Sequence, residues 1–81
     1  MIITDGKKTY VIRMRKWDGS GWGPDFANDY CNAGLLPFDE DRGVHIVEDA
    51  DDFAEGARDI FEEDFEGDDD MLLVIDELEN K

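Results

Sequence analysis

The sequence predicts an α+β fold, in which a small antiparallel or mixed β-sheet of three to four strands packs against two helices. Three observations lead to this prediction: segments with the period-two alternation of strands, one long segment with helical apolar spacing, and glycine-rich stretches between them. The chain has 81 residues, enough for a single domain, residues 1–81. The predicted order of elements is β-α-β-α-β.

The first strand is predicted in KTYVIRMRKW, residues 8–17, where apolar and basic side chains alternate. The preceding IIT, residues 2–4, can form an additional N-terminal strand, with Asp5-Gly6 as the turn of a hairpin. The first strand ends at DGSGWGPD, residues 18–25, because three glycines and a proline interrupt any regular element there.

A short helix is predicted next, in DFANDYCNAG. Asp25 follows Pro24 and can cap its N-terminus, and Gly34 can end it. The segment LLPFDEDRG, residues 35–43, is predicted to be a loop whose apolar residues cover an edge of the core.

GVHIV, residues 43–47, predicts the second strand, and the segment from Asp49 to Gly67 predicts the longest helix. Asp49 is the expected N-cap, and Gly67 is the expected stop signal. The final strand is MLLVIDEL, residues 71–78, which is apolar on both faces and is therefore expected to be central or covered on both sides. The apolar stripe of the long helix consists of Phe53, Ala54, Ala57, Ile60 and Phe61, of which Phe53, Ile60 and Phe61 are expected to be buried.

The charge of the chain is concentrated in its second half. The net charge is −15, but residues 1–38 have a net charge of +1 and residues 39–81 have a net charge of −16. Such an asymmetry indicates an interaction rather than general solubility. Because the charge is negative, it argues against direct binding of nucleic acid or of an anionic membrane by that half. The expected partner is a basic surface.

One face of the long helix is predicted to be an acidic row. Asp64 falls within the apolar stripe, so the helix is expected to fray or end near it. Carboxylates spaced three and four residues apart lie on the same side of a helix, opposite the apolar stripe. The predicted partner-binding residues are Asp52, Glu55, Asp59, Glu62 and Glu66 of the row, Glu63 at its margin, and Asp68, Asp69 and Asp70, which continue the charge beyond the helix.

No catalytic or metal-binding residue is predicted. His45 lies at strand spacing, as a packed or edge histidine does, and Cys31 is the only cysteine, which excludes a disulfide framework and a thiolate metal cluster. The segment DEDRGVHIVEDA, residues 39–50, fails the calcium-loop pattern because Gly43 is at position 5 and Ala50 at position 12. The protein is therefore predicted to be neither an enzyme nor dependent on a cofactor.

Two further features of the sequence are a pair of tryptophans and the lack of a membrane-spanning or signal segment. Trp17 and Trp22 lie in one glycine-rich loop, where they either cover the open face of the sheet, the interpretation that we favour, or contact a partner. The sequence contains no apolar run long enough to span a membrane and no signal-peptide pattern, so the protein is predicted to be cytoplasmic.

The short length, the acidity, the acid-striped helix DDFAEGARDIFEEDFEGDDD and the absence of a catalytic motif resemble small acidic phage-encoded anti-defence proteins that mimic DNA. These include anti-CRISPR and antirestriction proteins. The resemblance implies an anti-CRISPR protein of a type I system, such as type I-C, acting in the cytoplasm of an infected cell. Its acidic face would bind a basic surface of a CRISPR effector subunit and prevent that complex from binding target DNA.

Two other functions stay open. One is an immunity protein or antitoxin whose acidic face neutralises a basic nuclease or toxin. The other is a housekeeping acidic domain, either a monomer or a homodimer joined through its open sheet face.

Overall fold

The computed structural model describes residues 1–78 and contains a mixed five-stranded sheet with two helices, so the α+β class is confirmed. Residues 79–81 of the predicted domain lie outside the described part. The predicted count of three to four strands is too low, and the predicted order β-α-β-α-β differs from the observed β-β-α-β-β-α-β. The elements are β1 (Ile2–Thr4), β2 (Thr9–Lys16), α1 (Ala27–Tyr30), a 3₁₀ turn (Ala33–Leu35), β3 (Phe38–Asp39), β4 (Val44–Ile46), α2 (Ala50–Asp64) and β5 (Met71–Leu78).

The strands lie in the order β3-β4-β1-β2-β5. β1 and β2 form the predicted antiparallel hairpin, in which Thr4 lies opposite Thr9. β1 is parallel to β4 on its other side, with Ile3 opposite His45. The parallel pair makes the sheet mixed and places the first strand of the chain at its centre.

β5 is an edge strand of the described chain, so its predicted central position is wrong. It pairs with β2 along its whole length. Its apolar residues on one face, Leu73 and Ile75, pack against the core beneath the helices. Those on the other face, Leu72 and Val74, are half-buried although no helix covers that face in residues 1–78. A strand whose side chains are apolar on both faces of the sheet can therefore lie at the edge of that sheet.

Both helices pack on the same face of the sheet, as expected for two helices over a small sheet. That face has the fully buried side chains of Ile3, Ile12 and Met14. The helices contribute mostly small residues, which allow a close approach to the strands. The buried cluster is completed by Ala27 of α1 and by Ala50, Ala57 and Phe61 of α2.

α2 begins and ends where the sequence indicates. The carboxylate of Asp49 accepts a hydrogen bond from the Asp52 N–H at 3.1 Å, which confirms the N-cap. The helix ends at Asp64, and Gly67 follows with a φ of +76°, a conformation that favours glycine. Phe61 is buried as predicted, but Phe53 is only half-buried.

Ile60 is 54% exposed, so its predicted burial is wrong. Ile60 lies at the edge of the apolar stripe, on the side of α2 that faces α1. The side chain lines an open groove between α2 and α1, which has only four residues.

The first helical region is shorter than predicted. The Asp25 carboxylate accepts hydrogen bonds from the N–H groups of Ala27 and Met14, at 2.9 and 3.0 Å, and so joins the start of α1 to β2. The helix ends at Tyr30 rather than at Gly34, which lies within the following 3₁₀ turn. Asn32, two residues after the helix ends, takes a left-handed conformation with a φ of 53°.

The predicted loop before β4 contains the two-residue strand β3, which the sequence interpretation missed. Phe38 of β3 lies opposite His45 of β4, and their rings are 4.8 Å apart. His45 is therefore packed within the sheet, as predicted. So short a strand produces no detectable alternation in a sequence.

The carboxylate of Asp5 connects the β1–β2 turn to the start of α2. Its Oδ1 accepts hydrogen bonds from the N–H groups of Lys7 and Lys8, at 2.8 and 2.9 Å, within the β1–β2 turn. Its Oδ2 accepts a hydrogen bond at 2.9 Å from the N–H of Ala50, the first residue of α2. The hydrogen bond from Ala50 has the largest effect on this carboxylate. Together with those from Lys8 and Lys7, it lowers the pKa of Asp5 to about 2.

Phe61→Ala should destabilise the domain by about 3–5 kcal/mol, because Phe61 is buried and large-to-small changes leave a cavity. In thermal or urea unfolding this would lower the stability of a small domain by a large fraction. Ile60→Ala is the matched control in the same helix and should change stability little. Equal effects of the two substitutions would contradict the packing of α2.

The stability of the protein should fall as the pH is lowered from about 3.8 towards 2. The folded state holds the pKa of Asp5 at about 2, below its ordinary value of 3.8, so folding favours the ionised carboxylate. The resulting stabilisation is present above pH 3.8 and is lost as Asp5 becomes protonated. Urea unfolding of wild type and Asp5→Asn at several pH values measures this, and the difference between the two proteins should shrink as the pH falls through this range.

Candidate functional site

Three acidic residues of the α2 region have a structural partner within the protein. Asp49 caps the helix, as described above. Asp51 is 2.9 Å from the Lys8 ammonium and also accepts a hydrogen bond from the Tyr10 hydroxyl, so it holds the first turn of α2 against β2. The bond from Tyr10, followed by that from Lys8, lowers the pKa of Asp51.

Asp64 performs the corresponding role at the other end of α2. It accepts a hydrogen bond from the hydroxyl of Tyr30, which connects the last turn of the helix to α1. Burial, together with this bond to Asp64, raises the pKa of Tyr30 to about 12. The acid that interrupts the apolar stripe is therefore used to attach one helix to the other.

The predicted partner-binding acids of α2 form a second group. Their side chains are exposed, and their carboxylates make no hydrogen bond or ion pair in the described part of the chain. Glu66 belongs to this group, but it lies beyond the helix, in the turn that follows Asp64, so its predicted place in the helical row is wrong. The group consists of Asp52, Glu55, Asp59, Glu62, Glu63 and Glu66.

The helical row itself therefore consists of Asp52, Glu55, Asp59 and Glu62. At a rise of 1.5 Å per residue it spans about 15 Å, or one carboxylate per roughly 5 Å. A DNA strand carries one phosphate per about 3.4 Å of axis. The spacing of charge in the row is thus similar to that of a nucleic-acid backbone.

The row has an energetic cost for folding. Like charges at i,i+3 or i,i+4 destabilise a helix by about 0.2–0.5 kcal/mol per pair, and the row contains three such pairs. Arg58 is the only basic residue of α2, is exposed, and has no ion-pair partner within 4 Å in residues 1–78. Within residues 1–78, no acid of the row therefore forms an ion pair, and Arg58 is the one base between Glu55 and Glu62.

The three aspartates after Gly67 are exposed in the turn between α2 and β5. The carboxylate of Asp68 accepts a hydrogen bond at 3.3 Å from the N–H of Asp70, so one of them shapes the turn. The C=O of Asp70 accepts a bond from the Trp17 N–H at 2.7 Å, which ties the turn to the end of β2. Asp69 has no side-chain partner in the part of the chain described.

The sequence interpretation missed an apolar groove beside the acidic row. It has a volume of about 260 Å³ and runs between α1 and α2. The exposed side chain of Ile60 lies along it, and Asp52 of the acidic row reaches its rim. The groove is lined by Tyr30, Cys31, Asn32, Asp52, Phe53, Gly56, Ala57 and Ile60. The exposed Ile60 is the structural signal for this groove, but the helical spacing alone had placed that residue in the core.

Trp17 and Trp22 pack against each other. Their rings are 5.3 Å apart in an edge-to-face arrangement, and the two residues form an isolated β-bridge. They are 39% and 42% exposed, and neither belongs to the buried cluster or the residues packed on it. The pair stabilises its own loop, while its exposed area leaves a contact role open.

Three further observations concern Cys31, metal ligands and membrane-spanning helices. Burial raises the pKa of the Cys31 thiol, whereas a nucleophilic cysteine needs a lowered pKa. Residues 1–78 contain no group of three or more His, Cys, Asp or Glu side chains placed to hold a metal ion. Over the same residues, no helix is long and apolar enough to cross a membrane.

Comparison with protein-family models, with curated proteins and with solved structures found no match to this chain. Assignment of a function therefore depends on the exposed carboxylates of α2, the apolar groove beside them and the distribution of charge.

Proposed function

We propose that this protein is an inhibitor that uses the acidic row of α2 to occupy a nucleic-acid-binding surface of another protein. The partner class that fits best is a CRISPR surveillance complex, in which lysine and arginine side chains normally hold target DNA. In this proposal the protein is an anti-CRISPR of the DNA-mimic type. It acts by competition and performs no chemical step.

The division of the acids into two groups carries the proposal. Asp49, Asp51 and Asp64 have intramolecular partners that explain their presence. The four acids of the row have none in residues 1–78, and they repel one another. Folding alone would favour lysines between them, because opposite charges at i,i+4 stabilise a helix. Binding to a basic partner, rather than folding, therefore explains why these four acids are present.

The position of the row supports binding by a rigid surface. Both ends of α2 are fixed, by Asp5 and Asp51 at the N-terminal end and by Asp64 at the other. The carboxylates therefore project from a backbone that is ordered before binding, which reduces the entropy lost on association. Each carboxylate can then meet a cationic side chain that would otherwise contact a phosphate.

Replacing Glu55, Asp59 and Glu62 together by Lys should abolish inhibition and leave the fold intact. These side chains make no contact that folding needs, and close charge pairs across an interface can couple by about 1.5–7 kcal/mol. The measurement is whether excess protein prevents a purified type I surveillance complex from binding a labelled target DNA. Circular dichroism and thermal unfolding establish that the variant is folded.

The matched control is the triple substitution of Asp29, Glu40 and Asp41 by Lys. It changes the net charge by the same amount but alters exposed acids outside α2. It should retain inhibition if the row is the contact surface. If the folded α2 variant competes as well as wild type, or if both triple variants lose activity equally, the row is not the contact surface.

Binding to the partner should weaken steeply as the salt concentration rises. Charges at an exposed interface are screened over about 10 Å at 0.1 M salt and about 3 Å at 1 M. Affinity measured by titration across a salt series tests this, with the α2 triple variant as the reference. A wild-type affinity that does not respond to salt would contradict an electrostatic interface.

The apolar groove supports a second candidate, an immunity protein or antitoxin that binds a basic nuclease. An apolar pocket beside charged residues is typical of contacts with a protein side chain, whereas a phosphate-binding channel offers mainly cations. Ile60→Ala distinguishes the two functions. It should weaken binding of a nuclease that inserts an apolar side chain into the groove. It should leave competition with DNA at a surveillance complex nearly unchanged.

A further inference from the structure

The outer edge of β5 carries unpaired backbone groups. The N–H of Trp17 donates to the C=O of Asp70 at 2.7 Å, and this residue pair continues the β2–β5 ladder. Backbone groups of successive residues point to alternate sides of a strand. Leu72, Val74 and Asp76 therefore direct their N–H and C=O groups towards β2. Those of Met71, Leu73, Ile75 and Glu77 point outwards, where no strand of residues 1–78 lies.

We propose that β5 pairs with β5 of a second copy of this chain, in an antiparallel arrangement that joins the two sheets into one. An eight-residue edge strand with apolar side chains on both faces is a ready template for strand addition. The proposal does not depend on the function proposed above.

One register uses every outward backbone group of β5. It places Val74 opposite Val74 of the second copy, so that Met71 lies opposite Glu77 and Leu73 opposite Ile75. Each of the four residues whose backbone groups point outwards then lies opposite such a residue of the second copy. The two residues of each pair exchange two N–H···O=C hydrogen bonds. A shift by two residues in either direction leaves at least one of them without a partner in β5.

The same register also matches charge. Lys16 lies opposite Met71 in its own protomer, and Met71 lies opposite Glu77 of the second copy. Lys16 and the second copy's Glu77 are thus in one row, about 9.5 Å apart at two interstrand spacings, a distance that their long side chains bridge. Arg15, Leu72 and the second copy's Asp76 form an equivalent row on the opposite face. Neither Lys16 nor Arg15 has an ion-pair partner within residues 1–78.

The alternative register towards the start of β5 is unfavourable. It would place Asp76 and Glu77 of one copy opposite Asp70 and Asp69 of the other, and like charges directly opposite each other destabilise a sheet. Acids on an edge strand commonly prevent pairing. Here each acid of β5 can meet a base instead, in the register that also completes the hydrogen bonds.

The resulting dimer has a two-fold axis perpendicular to the sheet, so both copies of α2 lie on the same side. Each α2 packs over β2 and β5, and the two acidic rows therefore face the same direction. The net charge of −15 per chain opposes association at low salt. Dimerisation is best measured near 0.15 M salt, at which the Debye length is about 8 Å.

A charge-swap experiment tests the interface. Sedimentation equilibrium over a dilution series is performed for wild type, Lys16→Glu, Glu77→Lys and the double variant Lys16→Glu/Glu77→Lys. Within one protomer these two residues lie six residues apart along the ladder, about 20 Å, so they pair only between copies. Each single reversal acts twice in a symmetric dimer and should weaken it by about tenfold. The double variant should restore dimerisation.

A second pair of variants tests the backbone. Glu77→Pro removes an N–H that points away from β2, so it should leave the monomer folded and weaken the dimer more than Glu77→Ala does. Circular dichroism establishes the fold of each variant. The proposal is overturned by a wild-type protein that is monomeric throughout the dilution series. It is also overturned by a dimer that survives both single reversals, or by a double variant that dimerises no better than the single ones.

Discussion

The hydrogen bonds of the Asp5 carboxylate determine how α2 sits on the sheet. One oxygen holds the turn between β1 and β2, and the other holds the first N–H of α2. The start of the longest helix is thereby fixed to the central hairpin, and the salt bridge between Lys8 and Asp51 adds a second connection nearby. With this end fixed, the packing of Phe61 decides the rotation of the helix. The outward direction of the acidic row follows from these contacts.

The parts of the fold that the sequence predicted are those with local signals. The hairpin turn at Asp5-Gly6, the Asp49 cap and the alternation in β2 each depend on a few neighbouring residues, and each is present in the structure. The position of β5 depends on which strand pairs with which, and no local pattern contains that information. The number of strands was predicted wrongly for a different reason. β3 has only two residues, which is too short for a recognisable alternation of apolar and polar residues.

The candidate site was predictable to a similar degree. Helical spacing separated the exposed carboxylates of α2 from the buried Ala54, Ala57 and Phe61, but it also placed the exposed Ile60 in the core. It could not show that Asp51 and Asp64 have partners on other elements, nor that α2 ends before Glu66. Ile60 is exposed in the groove between α1 and α2, and its exposure depends on how the two helices are placed. The groove is therefore a tertiary feature that only the assembled helices create.

The arrangement of the sheet has a consequence for the order of folding. The central strand β1 meets its parallel neighbour β4 only after the intervening half of the chain has been made, and β2 meets β5 later still. Only the β1–β2 and β3–β4 pairs are local, and a lone two-stranded hairpin is marginally stable in water. Loop closure must therefore precede most of the stabilising contacts, which slows folding relative to a helical protein of this size. During synthesis, the five-stranded sheet cannot be completed until β5 has left the ribosome.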